Sequence, residues 1–292
     1  MKKIFIVNPT SGDGKSVKIT DEIKQILEND NDDFEIYYTS APKEATDIAM
    51  SFSDNEQKII YSVGGDGTLF EVVNGLAHSN NLLGIIPAGT GNDFIKSINN
   101  DNQITYVDLC RMNEHYFINI ASVGIDAEIA QNKENLLHLP RKTRYIASIV
   151  DTYFKFKYPH IEANINDETY DQDITLLAVC NGKFYGGGFQ MAPQAIFNDG
   201  MFDVYLIDKL SKLKIPGLIM KLTKGRHEES KYVHRLQSYK IIIHSDKELV
   251  CNLDGEIFSL CDMEFEVTNK KIPVYTANDK VKQLCKKKGL YK

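Results

Sequence analysis

The sequence predicts an α/β N-terminal domain with a doubly wound, largely parallel sheet, followed by a mainly antiparallel, sandwich-like β domain. Three observations predict it. Strand and helix patterns alternate over the first hundred residues, the βαβ rhythm of a parallel sheet. After about residue 105 the pattern changes to alternating runs separated by turn signals, as in antiparallel sandwiches. The loops after the first four strands read "NPTSGDGK", "TSAP", "GGDGT" and "PAGTGNDF". In a doubly wound sheet such loops gather at one edge, where ligands bind.

Taken in order, apolar runs predict strands over residues 3–7, 34–39, 59–63 and 82–86. Helical spacing predicts helices over 17–28, 43–52 and 69–77. Ile59, Ile60 and Val63 make the third strand a buried one. Thr68 with Glu71 fits a capping box, so a helix is expected to start just after Thr68. Leu69, Val72, Val73 and Leu76 then share one face. Gly64, Gly65 and Gly67 therefore surround Asp66 in a strand-to-helix turn. Such a turn either needs positive φ for tight geometry or lets backbone N–H groups approach a phosphate. Four polar loops on one edge point to a polyphosphate. The fingerprints themselves fail: Phe70 stands where G-x-G-x-x-G needs its last glycine, and Pro9 where a P-loop needs its first.

In the second half, "ITYVDLCRM", "YFINIAS", "ITLLAVCN", "MFDVYLID", "YKIIIHS", "ELVCNLDGEIFSL" and "MEFEVTN" read as short strands. Helical patterns lie near 144–156 and 212–224. The final "NDKVKQLCKKKGL" is helical as well. The expected division is an α/β domain over 1–104 and a β-rich domain over 105–276. Segment 277–292 is expected to pack back on the first domain.

Composition excludes several classes. The chain has 292 residues, 42% hydrophobic and 25% charged, with net charge −6, as in ordinary globular proteins. No run reaches the ~20 apolar residues of a membrane span. The first fifteen residues read as a strand rather than a signal peptide. Five cysteines without C-x-x-C spacing suggest reduced thiols in a cytoplasm. Residues 1–104 hold 8 Lys/Arg against 16 Asp/Glu, which argues against nucleic acid as a partner. Lys209 to Arg235 hold eight Lys/Arg against Glu228 and Glu229, so one face could lie near an anionic surface.

Three motifs of the second half stay open on their residues alone. Asp254-Gly255-Glu256 is either a hairpin turn with an exposed glutamate or a general base facing the glycine loops. Gly186, Gly187 and Gly188 fit a bulge or a close backbone approach. Asn198-Asp199-Gly200 is a turn whose aspartate could also hold a hard cation.

In this order, "NPTSG", "VGGDGTLFEVVNGL", "IIPAGTGNDF", "NIASVGIDA", "NGKFYGGGFQMAPQAIFNDGMFDV" and "DGE" resemble the diacylglycerol kinase catalytic family. The likeness is to its bacterial soluble lipid-kinase branch, related to sphingosine kinases and distantly to NAD kinases. The resemblance implies a two-domain lipid kinase/NAD kinase-like architecture with ATP bound between the domains. Asn8, Pro9, Thr10, Ser11, Gly12, Thr39, Gly65, Asp66, Gly67, Thr68, Leu69, Glu71 and Thr90 would line the nucleotide. Asp66 would organise Mg²⁺ and phosphates, and Glu256 would take the proton of a lipid hydroxyl. Ile196, Asp199 and Met201 would match a structural Mg²⁺ site. Phe70 stands where the family usually has Asn, so it is left out of the site.

The implied reaction is ATP-dependent phosphorylation of a membrane lipid acceptor, with diacylglycerol giving phosphatidic acid as the family default. A cytoplasmic, peripherally membrane-associated protein follows, and a homodimer is compatible. An NAD kinase-type nucleotide kinase and a non-catalytic lipid- or nucleotide-binding protein are the alternatives.

Overall fold

The computed structural model describes residues 1–52, 56–98, 102–135 and 141–291. The first half runs β1 (Lys3–Val7), α1 (Lys15–Asn29), β2 (Phe34–Tyr38), α2 (Glu44–Ser51), β3 (Ile59–Gly64), α3 (Asp66–Leu76) and β4 (Leu82–Pro87). Its strands pair in the order β2-β1-β3-β4, all parallel. Alternation along β1 shows why two helical layers are needed. Ile4 and Ile6 pack with Ala45, Ala49, Val72 and Leu76 on one face. Phe5 and Val7 pack with Ile19, Ile23 and Leu27 on the other. A fully buried Ile or Phe contributes roughly 1.5–3 kcal/mol, so both faces must be covered.

The second half contains β5 (Ile104–Met112), β6 (His115–Phe117), β7 (Ile120–Gly124), α4 (Ile125–Asn135), α5 (Arg141–Lys155), β8 (His160–Ile165) and β9 (Glu168–Cys180). There follow the short β10 (Phe184–Tyr185) and β11 (Phe189–Gln190), then β12 (Phe202–Asp208), α6 (Ile215–Leu222), β13 (Val233–Ser238), β14 (Lys240–Leu253), β15 (Glu256–Tyr275) and α7 (Lys280–Lys287). The strand pairs within this half are antiparallel. Strand β9 is buried on both faces, with Leu177 and Val179 in one cluster and Leu176, Ala178 and Cys180 in another.

Two long strands replace several short ones. β14 absorbs the runs "YKIIIHS" and "ELVCNL" across a bulge between His244 and Leu249. β15 continues to Tyr275, where Val274 pairs in parallel with Leu83 of β4. That one strand therefore ties the β domain to the parallel sheet. β8, β13 and α4 were not expected, because their exposed faces carry too much polar sequence to stand out from loops. β8 nevertheless buries Ile161, Ala163 and Ile165 in strict alternation.

Helix α7 buries Val281 and Cys285 among Phe5, Ile19 and Ile23 of the first domain. Lys280 pairs with Asp30 at 2.6 Å and Lys288 with Glu22 at 2.7 Å. Residue 292 of the expected C-terminal segment lies outside the described residues. All five cysteines are free thiols, and only Cys261 is not buried. Among the described residues no helix is long and apolar enough to cross a membrane.

Candidate active site

The loops after β1, β3 and β4 meet at one edge of the parallel sheet. The Gly64 carbonyl accepts the N–H groups of Ala88 and Gly89, at 2.8 and 2.9 Å. A Cβ on Gly89 would lie 2.3 Å from the Cα of Gly65, so side chains are excluded where the two loops touch. Asn8 folds the first loop, its Oδ1 accepting the Thr10 N–H at 3.1 Å and the Thr10 hydroxyl at 2.8 Å. Ser11 donates its N–H to the Asn8 carbonyl, and Gly12 packs against the Ala88 carbonyl. Pro9 and Gly12 are half-buried. Thr39 closes onto the end of β1 through its N–H to Val7, at 2.9 Å. Thr90 is exposed at the tip of the fourth loop.

The expected capping box does not form. Helix α3 starts at Asp66, with Gly65 as an extended N-cap. Thr68 lies inside the helix, its hydroxyl against Gly64. Glu71 reaches away, accepting the N–H groups of Lys43 and Ala45 at 3.0 and 3.1 Å. It thereby caps α2, whose own N-cap, Lys43, has φ 70° and no side-chain bond of its own. The Leu69 side chain is core, and its N–H already bonds the Gly65 carbonyl at 3.0 Å. The N–H groups of Asp66, Gly67 and Thr68 precede that first helical bond, and such orphan donors suit an anion. Losing the α2 cap sets a first expectation. Glu71→Ala should lower stability by about 1–2 kcal/mol, read as the chemical-denaturation midpoint at unchanged m-value.

Asp66 is held by two donors, Asn92 N–H to Oδ2 at 2.8 Å and Asp93 N–H to Oδ1 at 2.9 Å. Burial, and then the Asp93 carboxylate, push it up to about 6, against the pull of those N–H groups. Asp93 in turn accepts Lys96 Nζ at 2.7 Å and the Gly187 N–H at 2.7 Å. The Gly186–Gly188 turn is thus a close approach to this loop, as one reading of its sequence had it.

Across the domain boundary, β14 and β15 are joined by the two-residue turn Asp254-Gly255, both at positive φ. A hairpin turn therefore forms here, and its aspartate is more than a turn former. Its carboxylate is buried and accepts the N–H groups of Ile118, Asn119 and Ile120, the shortest at 2.8 Å. Burial pushes it up to about 7, opposed by those donors. The turn is thereby pinned, and it presents Glu256 to the first domain. A Cβ on Gly67 would sit 2.7 Å from Glu256 Oε1. The carboxylate thus lies against Gly67 at the N-terminus of α3, a position that favours negative charge.

Phe70 is 8% exposed and fills the seam between α3 and the β domain. Its ring centroid lies 6.3 Å from that of Phe258 and 6.5 Å from that of His115. An apolar side chain is what this seam takes. Asn92, Asp93, Lys96 and Asp254, which hold this arrangement together, were not among the expected site residues. The "GTGND" loop offered a signal for the first two, whereas the burial of Asp254 depends on the β6–β7 connection far away in sequence.

The residues fit Mg²⁺ at Asp66, where each oxygen accepts one N–H and keeps a further acceptor position. Mg²⁺ commonly takes one or two carboxylates together with substrate phosphates and water. Among the described residues no three acidic, His or Cys side chains form a metal cluster on their own. Ile196, Asp199 and Met201 lie on one exposed loop ahead of β12. The Ile196 carbonyl accepts the Asn198 N–H at 2.8 Å, and Asp199 Oδ1 accepts the Met201 N–H at 3.1 Å. Their oxygen chemistry suits a hard cation.

Lys271 anchors the same loop, with Nζ 2.6 Å from the Asn198 carbonyl and 2.9 Å from Oδ1 of the buried Asp108. Asp108 also accepts the Gly200 N–H at 2.7 Å. Lys271→Met should cost about 2–3 kcal/mol of stability, because it leaves a buried carboxylate without its cation. Thermal melts of both proteins check this, and an unchanged midpoint would show the pair to be neutral.

Residues 2–120 match the family model of the diacylglycerol kinase catalytic domain. Residues 119–276 match that of the YegS C-terminal NAD kinase beta sandwich-like domain. A diacylglycerol kinase of Bacillus subtilis (strain 168) is 28% identical, covering 97% of this chain and 99% of its own. A Shewanella frigidimarina protein named "Probable lipid kinase YegS-like" is 30% identical, over 77% of this chain and 78% of its own. A crystal structure described as a diacylglycerol kinase from Bacillus anthracis str. Sterne shares the fold, with TM-score 0.67 at 20% identity, over 94% of this chain and 97% of that one. With both domains matched from residue 2 to residue 276, the chain belongs to the lipid-kinase family that joins a diacylglycerol kinase catalytic domain to a YegS-type β domain.

Proposed function

We propose that this protein is an ATP-dependent lipid kinase that transfers the γ-phosphoryl group of ATP to a lipid hydroxyl, with diacylglycerol as acceptor and phosphatidic acid as product. The observation that carries the proposal is the placement of Glu256. A hairpin of the β domain delivers this carboxylate to the N-terminus of α3, beside Asp66, in a loop cluster suited to phosphates.

In this reading the 1–104 domain holds the nucleotide. Asn8 to Gly12, Thr39, Gly65 to Thr68 and Thr90 line it, and Glu71 acts from behind by fixing α2. The orphan N–H groups at the start of α3 receive phosphate oxygens. The acceptor hydroxyl oxygen attacks the γ-phosphorus in line, its proton passes to Glu256, and ADP leaves. Mg²⁺ bound at Asp66 would offset phosphate charge. A structural Mg²⁺ would take the Ile196 and Met201 carbonyls and the Asp199 carboxylate. The 105–276 domain supplies the acceptor side, and the protein works in the cytoplasm at a membrane surface.

The test is incubation with labelled ATP and Mg²⁺ against diacylglycerol, phosphatidylglycerol, ceramide and sphingosine in mixed micelles, and against NAD in solution. Labelled phosphatidic acid is expected. Labelling of NAD alone would replace this reading with a nucleotide kinase, and no labelled product would leave a binding protein.

A further inference from the structure

Twelve large apolar side chains stand exposed among the described residues, and the two most exposed are Leu213, at 89%, and Phe154, at 71%. They belong to different elements but to one face. The Tyr153 hydroxyl donates to the Lys212 carbonyl at 3.0 Å, and Lys212 Nζ donates to the Phe154 carbonyl at 2.6 Å. The end of α5 is therefore clamped to the 3₁₀ turn Lys212–Lys214 that leads into α6. Val150 on α5, and Ile219 and Met220 on α6, are exposed as well. Helix α6 buries Ile215 against the β domain and packs Leu218 and Leu222 there, which leaves Met220 on its outer side 60% exposed.

Cations surround these residues. Lys157, Lys221 and Lys224 form no ion pair among the described residues, whereas Lys155 pairs with Asp151 at 2.7 Å and Lys214 stacks on Tyr232. Of the acids beside α6, Glu229 pairs with Arg226 at 2.6 Å, and Glu228 accepts the Tyr205 hydroxyl at 2.6 Å and the Gln194 amide at 2.8 Å. Apolar side chains standing out among unpaired lysines match an anionic lipid surface, where the apolar groups enter the acyl boundary and the lysines meet headgroups. A second observation places this face usefully. Helix α5 leads directly into the 157–160 segment, where Lys157 and Tyr158 help wall a cavity of about 420 Å³ whose lining mixes Val123 and Leu249 with Glu128, Asp246 and Glu248.

We propose that the α5 end and the α6 segment together form the face that docks on an anionic bilayer, with Leu213 and Phe154 as its inserting residues. The proposal rests on the lipid-kinase reading for its purpose, but the docking can be measured without catalysis. The experiment is co-sedimentation of the whole chain with phosphatidylcholine vesicles, with and without phosphatidylglycerol, at low and high salt. Leu213→Glu and Phe154→Glu are compared with Tyr239→Glu, a change at an exposed tyrosine elsewhere, with melting as the folding control.

The wild type should bind the anionic vesicles preferentially and release them in salt. Each of the two face variants should bind about tenfold more weakly, and the Tyr239 variant as wild type. Phosphorylation of diacylglycerol dispersed in detergent micelles should be unchanged in all three variants, while phosphorylation on vesicles falls in the two face variants. Vesicle binding by Leu213→Glu and Phe154→Glu equal to wild type would overturn the proposal. So would wild-type binding that ignores lipid charge and salt. Loss of self-association in those variants with vesicle binding intact would reassign the face to a second copy of the chain. Loss of vesicle binding in a protein that phosphorylates no micellar lipid would uphold the docking face and reject the lipid-kinase reading.

Discussion

Glu256→Gln should fold as the wild type, bind ATP with unchanged affinity and lose roughly 10²–10⁴-fold in kcat. The size of the loss follows from the chemistry of the acceptor. A lipid hydroxyl is a poor nucleophile until its proton has somewhere to go, and glutamine offers no site for it. Folding should be spared because Glu256 is exposed and the neighbouring Asp254 pins the hairpin through three backbone N–H groups. Glutamine has nearly the same volume, so it also fits the space that Gly67 leaves open. ATP affinity should hold because the nucleotide loops belong to the other domain. The measurements are kcat against micellar acceptor, ATP binding by calorimetry and a thermal melt. A folded variant with wild-type kcat would return Glu256 to the role of a turn residue.

Asp66→Asn should reduce kcat by roughly 10²–10³-fold or more, at saturating Mg²⁺ and ATP. Asparagine keeps the size and one of the two acceptors, but the second N–H of the Asn92–Asp93 pair then faces an amide group. The charge that would organise Mg²⁺ is gone. Here ATP binding in the presence of Mg²⁺ should weaken too, which separates this variant from Glu256→Gln. Near-normal turnover with saturating Mg²⁺ and ATP would remove Asp66 from the machinery.

Much of the fold is legible in the sequence because the signals are local. The strands and helices of the first half fall within a few residues of expectation, since each buried run is short, apolar and flanked by turn formers. The loop edge is legible for the same reason: a parallel sheet fixes where the ends of β1, β3 and β4 must lie. Thr68 and Glu71 show where such reasoning fails. Their spacing satisfies a local rule, yet Glu71 lies closer to the uncapped start of α2, and the neighbour takes it.

Taken by itself, the sequence determines the two folding rhythms, the glycine-rich edge and the identity of the acidic groups, because these depend on residue type and on spacing of a few positions. Tertiary structure alone decides which acids act together. Asp66, Asp93, Asp254 and Glu256 are scattered over some 190 residues, and their grouping depends on β14 and β15 reaching back from the β domain to the parallel sheet. The burial that pushes Asp66 and Asp254 up, and the glycine gap at Gly67 that admits Glu256, exist only once those strands are paired. The exposure of Leu213 beside Phe154 is settled at the same level, since two segments some sixty residues apart form one face only when α5 and α6 dock on the same side of the β domain.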